Sequence, residues 1–242
     1  MTELSVIFPV HNEAEGIESF LADALSTIRK LNVSFEIICV ENGSTDGSLA
    51  ILKSISKKIK DIRVIRSPKG WGNAVRAGIA QARGKLTVYM VSDYQVDPKY
   101  IAHIYHAYRN SQLDGSGYRL VKVRRTNREN TTRLVNSRTY NLLASLMFGV
   151  PSRDINATPK VAETALLRRL NLTSDNIAID LELLLKLQSE GLAWQEIPVP
   201  SMRRSSGRST TNMKAVWEMI SHMIGFRYGI IRKRTPSVTA GK

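Results

Sequence analysis

The chain is poor in cysteine, in aromatics and in acids, and it lacks any long apolar run. Its 242 residues include one cysteine, Cys39, which excludes an intrachain disulfide and any metal cluster built on thiolates. Cys39 stands inside the apolar run FEIICV, where a thiol packs as a small hydrophobe rather than acting as a nucleophile. A spanning helix needs roughly 18 uninterrupted apolar residues. The longest uncharged segment, TYNLLASLMFGVPS, has only 14, held between Arg138 and Arg153. The amino terminus, MTELSVIFPV, lacks the basic leader of a secretory signal and runs straight into a strand pattern. These absences lead us to expect a reducing, cytoplasmic setting, with any membrane contact peripheral and at the inner face. Aromatics make up 7% of the chain, and no RNA- or DNA-binding module is recognisable, so nucleic acid is not an expected partner.

The shortage of acids is local. The net charge is +14, yet residues 119–138 carry +6 and residues 201–242 carry +8, so the remainder sums to zero. The expectation is two anion-facing patches on a neutral domain.

Strand and helix patterns alternate through the first half. LSVIFPV, FEIICVEN, IRVIRS and LTVYMVSD read as strands, and GIESFLADALSTIRKL, SLAILKSISKKI and GNAVRAGIAQAR as helices. Such βαβ units give a mostly parallel sheet covered by helices on both faces. Further on, NTTRLVNSRTYNLLASLMFG and IAIDLELLLKLQSEG read as helices and WQEIPV as a strand. An amphipathic helix is expected over 211–234, its apolar stripe running through Met213, Val216, Trp217, Ile220, Met223, Ile224 and Ile231. That stripe suits the chain's own core, a second subunit or a lipid surface, and residues 235–242 read as a disordered tail. The expected organisation is one domain over 1–210 with this appendage.

Three strand-end loops hold the candidate chemistry: PVHNE, ENGSTDGS and VSDYQVDP. In open α/β sheets a ligand binds outside the carboxyl ends of the strands, so the three are expected to converge. Pro9 is read as ending the first strand. Asp46 and Asp97 suit helix capping. Asp93 and Gln95 are oxygen donors two residues apart, able to hold Mg²⁺ or Mn²⁺ if a diphosphate completes the shell.

The ordered set PVHNE, ENGSTDGS, KGWGNAVRAG, VSDYQVDP, RLVNSRTYN, RDINATPK, GLAWQEIPV and RRSSGRST resembles family 2 glycosyltransferases of GT-A fold, closest to the dolichyl phosphate mannose synthase-like branch. The resemblance implies an inverting transferase that takes a sugar from a nucleotide diphosphate donor with Mg²⁺ or Mn²⁺. It places Pro9, His11, Glu13, Glu41, Asn42 and Gly43 at the nucleotide, and Asp93 and Gln95 at the metal and diphosphate. Asp154 falls near the transferred sugar, where it would serve as base only for a hydroxyl acceptor. Arg119, Arg124 and Arg133 fall where that branch faces an acceptor lipid phosphate, and Arg204 and Ser209 near the pyrophosphate. Val91 stands where the family carries the first acid of its metal motif. The acceptor implied is a polyprenyl phosphate or related membrane lipid. A hydroxyl acceptor in polysaccharide or glycolipid synthesis, or a non-catalytic sugar-nucleotide binder, are the alternatives.

Overall fold

The structure, a computed structural model, describes residues 1–126 and 131–202 with Ser221, Met223, Gly225 and Phe226, and only the backbone of 131–136. The elements run β1 (Leu4–Val10), α1 (Ile17–Arg29), β2 (Phe35–Glu41), α2 (Ser48–Lys58), β3 (Ile62–Arg66), α3 (Trp71–Gln81) and β4 (Leu86–Tyr89). There follow α4 (Tyr100–Leu113), β5 (Leu120–Arg125), α5 (Thr131–Phe148), β6 (Lys160–Glu163), α6 (Thr164–Arg169), α7 (Ile179–Ser189) and β7 (Trp194–Val199).

The strands form one seven-stranded sheet in the order β3-β2-β1-β4-β6-β5-β7. All neighbours are parallel except the two pairs that involve β6. The expected mostly parallel α/β sheet is therefore present, with one reversed strand. That reversal matters for the site, because the amino end of β6 meets the carboxyl ends of its neighbours. The loop leading into β6, which carries Asp154, is thereby delivered to the same edge as the loops leaving β1, β2 and β4.

The central strands β1, β2 and β4 are buried on both faces, which is why they read as largely continuous apolar runs rather than as alternating ones. Val6, Phe8, Ile37, Cys39 and Val88 point to a core closed by Ile17 and Phe20 of α1, Leu52 of α2 and Ile101 of α4. Ile7, Ile38 and Val40 point the other way, to a core closed by Val75 of α3, Ala144 of α5, Leu166 of α6 and Leu183 of α7. Met223 is buried against this second core and Phe226 packs on it. The rest of the expected 211–234 helix, and the 235–242 tail, lie outside the described residues.

One expectation needs correction. Pro9 does not end β1; it pairs in register with Val40, and the strand continues to Val10. A central strand tolerates this proline because the missing N–H faces the β4 side, where pairing stops at Ile7 and Tyr89. The Pro9 carbonyl instead accepts the Ser92 hydroxyl at 3.1 Å.

Cys39 is wholly buried, as its apolar run implied, and burial pushes its thiol up to about 12 from the ordinary 9.0. The unfolded chain loses this proton above pH 9 while the folded chain keeps it, so the thiol's contribution falls as pH rises through that window. Chemical denaturation of wild type and Cys39→Ala from pH 8 to 11 should show their stability difference changing by up to about 1.4 kcal/mol per pH unit above 9. Parallel curves would mean that the thiol ionises inside the core.

Candidate functional site

The first and second strand-end loops interlock. His11 Nδ1 lies 2.9 Å from the Asn42 carbonyl, and the Asn42 N–H reaches the Val10 carbonyl at 2.9 Å. Asn12 accepts the Thr45 N–H at 2.8 Å, while the Glu13 N–H donates to Ser48 Oγ at 2.9 Å. Asp46 bridges the two loops: one carboxylate oxygen takes the Ala14 N–H at 2.9 Å and the other the Ser48 N–H at 3.0 Å. The second contact is the helix-start role expected of it, and Asp97 likewise accepts the Lys99 N–H at 2.8 Å.

Glu41 is 1% exposed at the end of β2. Burial raises its pKa, but the Ser44 N–H at 2.5 Å and Arg66 at 3.2 Å outweigh that and hold the carboxyl below its usual range. Gly43 turns the chain at φ +71°, a region that side chains with a Cβ rarely enter. Asn42 also ties this loop to the α3 entry, its Oδ1 accepting the Gly70 N–H at 2.8 Å. Pro9, His11, Glu13, Glu41, Asn42 and Gly43 thus stand together at one end of the crevice.

The other end is built around an arginine that the sequence reading passed over. Asp93, 2% exposed, accepts the Gln95 backbone N–H at 3.1 Å and its Nε2 at 2.6 Å. Gln95 Oε1 in turn accepts Arg125 Nη1 at 3.2 Å. Arg125 then grips Asp154 in a fork, Nε to Oδ2 at 2.9 Å and Nη2 to Oδ1 at 3.0 Å, while its own N–H adds a third bond to Oδ2 at 3.1 Å. Burial opposes the guanidinium charge, but Asp154 more than compensates and raises the Arg125 pKa. The structure therefore joins Asp93, Gln95 and Asp154 through Arg125. Its signal lay in the alternation of LVKVRR, where Val121 and Val123 share a core with Val88, Met90 and Val96 of the Asp93 loop region, and Arg125 keeps their parity.

Two buried lysines fix the backbone at Asp154. Lys122 of β5 and Lys160 of β6 are register partners and both are fully buried. Lys122 Nζ donates to the Asp154 carbonyl at 2.6 Å, and Lys160 Nζ to the next carbonyl, Ile155, at 2.9 Å. Each ammonium has a carboxylate partner: Glu196 of β7 lies 3.1 Å from Lys122, and Asp180 of α7 pairs with Lys160. Asp180 also accepts Tyr89 Oη and Trp71 Nε1, both at 3.0 Å. Burial lowers the pKa of both lysines, that of Lys160 to about 8, against the pull of their carboxylates.

Among the described residues, three of the five cations of the first basic stretch are not free surface charges. Lys122 lies in the core, Arg125 is spent on Asp154, and Arg119 pairs with Glu163 at 3.0 Å. Arg119 precedes β5, five positions or roughly 17 Å of strand from Arg124, so the structure does not bring it to the site. Arg124 does reach it. Together with Arg125, Arg138, Arg153, Asp154 and Leu142 it lines a cavity of about 430 Å³. Arg133 is described only by its backbone, and Arg204 and Ser209 lie outside the described residues.

As a cation site, Asp93 and Gln95 offer hard oxygens at a strand end, which suits the Mg²⁺ and Mn²⁺ class. Among the described residues no cluster of three or more His, Cys, Asp or Glu could hold a metal ion. Val91, whose N–H donates to Thr158 Oγ1 at 3.2 Å, supplies no side-chain ligand. The donor set fits an ion held by one carboxylate, with most of its shell coming from a diphosphate and water.

Comparison with known proteins agrees with this architecture. The chain is 30% identical over 135 residues to an undecaprenyl-phosphate 4-deoxy-4-formamido-L-arabinose transferase of Proteus mirabilis, covering 54% of this chain and 39% of that protein. It is 26% identical over 178 residues to a dodecaprenyl-phosphate galacturonate synthase of Rhizobium johnstonii, covering 72% and 51%. The chain therefore spans about half or less of the length of these curated relatives. Among solved structures, glucosyl-3-phosphoglycerate synthase of Mycobacterium tuberculosis, in complex with Mn²⁺, UDP and phosphoglyceric acid, superposes with a TM-score of 0.72 at 21% identity. That superposition covers 94% of this chain and 79% of the other, and it shows the GT-A fold. The model of glycosyl transferase family 2 matches residues 5–169, and the chain belongs to that family.

Proposed function

We propose that this chain transfers a sugar from a nucleotide diphosphate sugar to a polyprenyl phosphate or a related lipid phosphate, with inversion at the anomeric carbon. One observation carries the choice of acceptor. The cavity beside the Asp93 loop is lined by four arginines, and its one acid, Asp154, has both oxygens engaged by Arg125. A hydroxyl nucleophile needs a base with a free lone pair facing it. A phosphate arrives already anionic, needs no base, and is well matched by arginine. The names of the curated relatives, both acting with prenyl phosphates, support the same reading.

In this reading the interlocked loops around Glu41 and Asn42 take the nucleoside, and its diphosphate lies toward Asp93 and Gln95. A divalent cation bound by Asp93, with Gln95 beside it, would neutralise charge on the leaving diphosphate. Arg124, Arg138 and Arg153 hold the acceptor phosphate, and Arg125, fixed by Asp154, sits between the two halves. In-line attack from the arginine cavity, opposite the departing diphosphate, inverts the sugar carbon. Arg133, Arg204 and Ser209 are proposed to complete the phosphate contacts.

The test is a panel of labelled nucleotide sugars with Mg²⁺ or Mn²⁺, offered a polyprenyl phosphate and the polyprenyl alcohol of equal length. We expect labelled lipid from the phosphate and none from the alcohol, abolished by a chelator. Equal use of the alcohol would overturn the acceptor reading. Tight donor binding without transfer to any acceptor would leave a sugar-nucleotide binder.

A further inference from the structure

Helix α5 carries an uncovered ridge that starts at the mouth of the arginine cavity. Arg138, Leu142 and Leu146 follow one another at four-residue spacing, one face of the helix about 12 Å long. Leu142 is 59% and Leu146 74% exposed, although Tyr140 and Ala144 on the opposite side are buried in the second core. Leu142 also lines the cavity, and Asn141 ties the segment to Arg153 by a bond of 2.9 Å to its carbonyl. Between Glu129 and Asp154 the sequence has three arginines and no acid.

We propose that this face of α5 docks on an anionic lipid bilayer. The two leucines enter the boundary between headgroups and acyl chains, and Arg138 and Arg153, at the cavity mouth, turn their positive charge toward the headgroup layer. Charge selects this occupant. A second copy packed face to face would set these arginines against their own counterparts, and a neutral apolar partner would leave them unmatched. Docked this way, the cavity opens onto the plane in which a membrane presents a lipid phosphate. That orientation rests on the acceptor proposed above, whereas the membrane contact itself does not.

The test uses the full chain with vesicles of phosphatidylcholine alone or mixed equally with phosphatidylglycerol. Wild type should co-sediment with the mixed vesicles, and Leu146→Glu should bind them at least about tenfold more weakly, since it removes apolar area and adds a like charge. Leu146→Trp provides a second readout, its emission shifting to the blue and being quenched by brominated acyl chains in mixed vesicles. Unchanged binding of Leu146→Glu, or a tryptophan that stays in water, overturns the proposal. So does a dimer that Leu146→Glu dissociates while wild type ignores lipid. Transfer to a water-soluble short-chain prenyl phosphate should be the same in Leu146→Glu and wild type. If wild type transfers to no lipid phosphate at all, the acceptor reading fails, and vesicle binding still decides the docking face.

Discussion

Exchanging Arg125 for lysine should lower kcat for sugar transfer about 100-fold while sugar-donor affinity changes by less than about threefold. The charge is conserved by this substitution, so the loss would come from geometry alone. A lysine offers one ammonium on a flexible stem, whereas Arg125 uses Nε and Nη2 on the two oxygens of Asp154 and Nη1 on Gln95. Without that fork the Asp93 loop and the Asp154 loop are no longer tied together, and misplacement of reacting groups by about 1 Å is enough for a loss of this size. Arg124→Lys is the matched control: it should act mainly on the acceptor KM, because Arg124 lines the cavity and makes no such bridge. Steady-state kinetics with both substrates varied, beside donor binding by calorimetry, separate the two outcomes. A kcat for Arg125→Lys within a few-fold of wild type would refute the bridging role.

The second large effect concerns stability. Asp180→Asn should destabilise the fold by about 3–5 kcal/mol near pH 7, because it strands the ammonium of Lys160 in the core. Lys160 is fully buried, and its pKa already stands at about 8 with Asp180 present. Loss of the carboxylate would lower it further, so folding near neutral pH would require removing a proton that the unfolded lysine holds up to about 10.5. Between those values the unfolded chain binds more protons than the folded one, and stability rises with pH. The deficit of Asp180→Asn relative to wild type should therefore shrink as pH is raised from 7 to about 8, where folded wild type still holds its proton, and stay level above that, where both proteins gain alike. The double variant Lys160→Met/Asp180→Leu should recover most of the loss, since exchanging a buried pair for apolar groups is often neutral. A deficit that is independent of pH would point to lost bonds from Tyr89 and Trp71 instead. Lys160→Met alone frees the Ile155 carbonyl, so its surviving folded fraction should show reduced kcat with ordinary donor binding.

Much of the fold was legible because strands buried on both faces must be apolar along their whole length. LSVIFPV coincides with β1 for that reason, while WQEIPV coincides with β7, a half-buried edge strand. β5 was hidden by three cations in six residues, LVKVRR, of which Lys122 and Arg125 find carboxylates inside the protein. β6 has only four residues, too short for a period to show. The first two strand-end loops were legible from their short polar side chains, which satisfy one another across β1 and β2 within a few residues of the strand ends.

Sequence alone determined the βαβ alternation, the buried thiol, the excess of arginine and the ordered motifs, since these depend on neighbours along the chain. Tertiary structure decided which charges are free. Seven cations within twenty residues read as one patch, but a strand sends alternate side chains to opposite faces. The sheet then set Lys122 against Glu196, Arg125 against Asp154 and Arg119 against Glu163. Those partners lie between 29 and 74 positions away, so no local pattern could pair them. The reversal of β6 did the same for Asp154, carrying it to the strand-end crevice where Asp93 and Gln95 wait. Arg124, Arg138 and Arg153 were left to line one cavity beside the exposed Leu142 and Leu146, the surface we propose for the anionic acceptor.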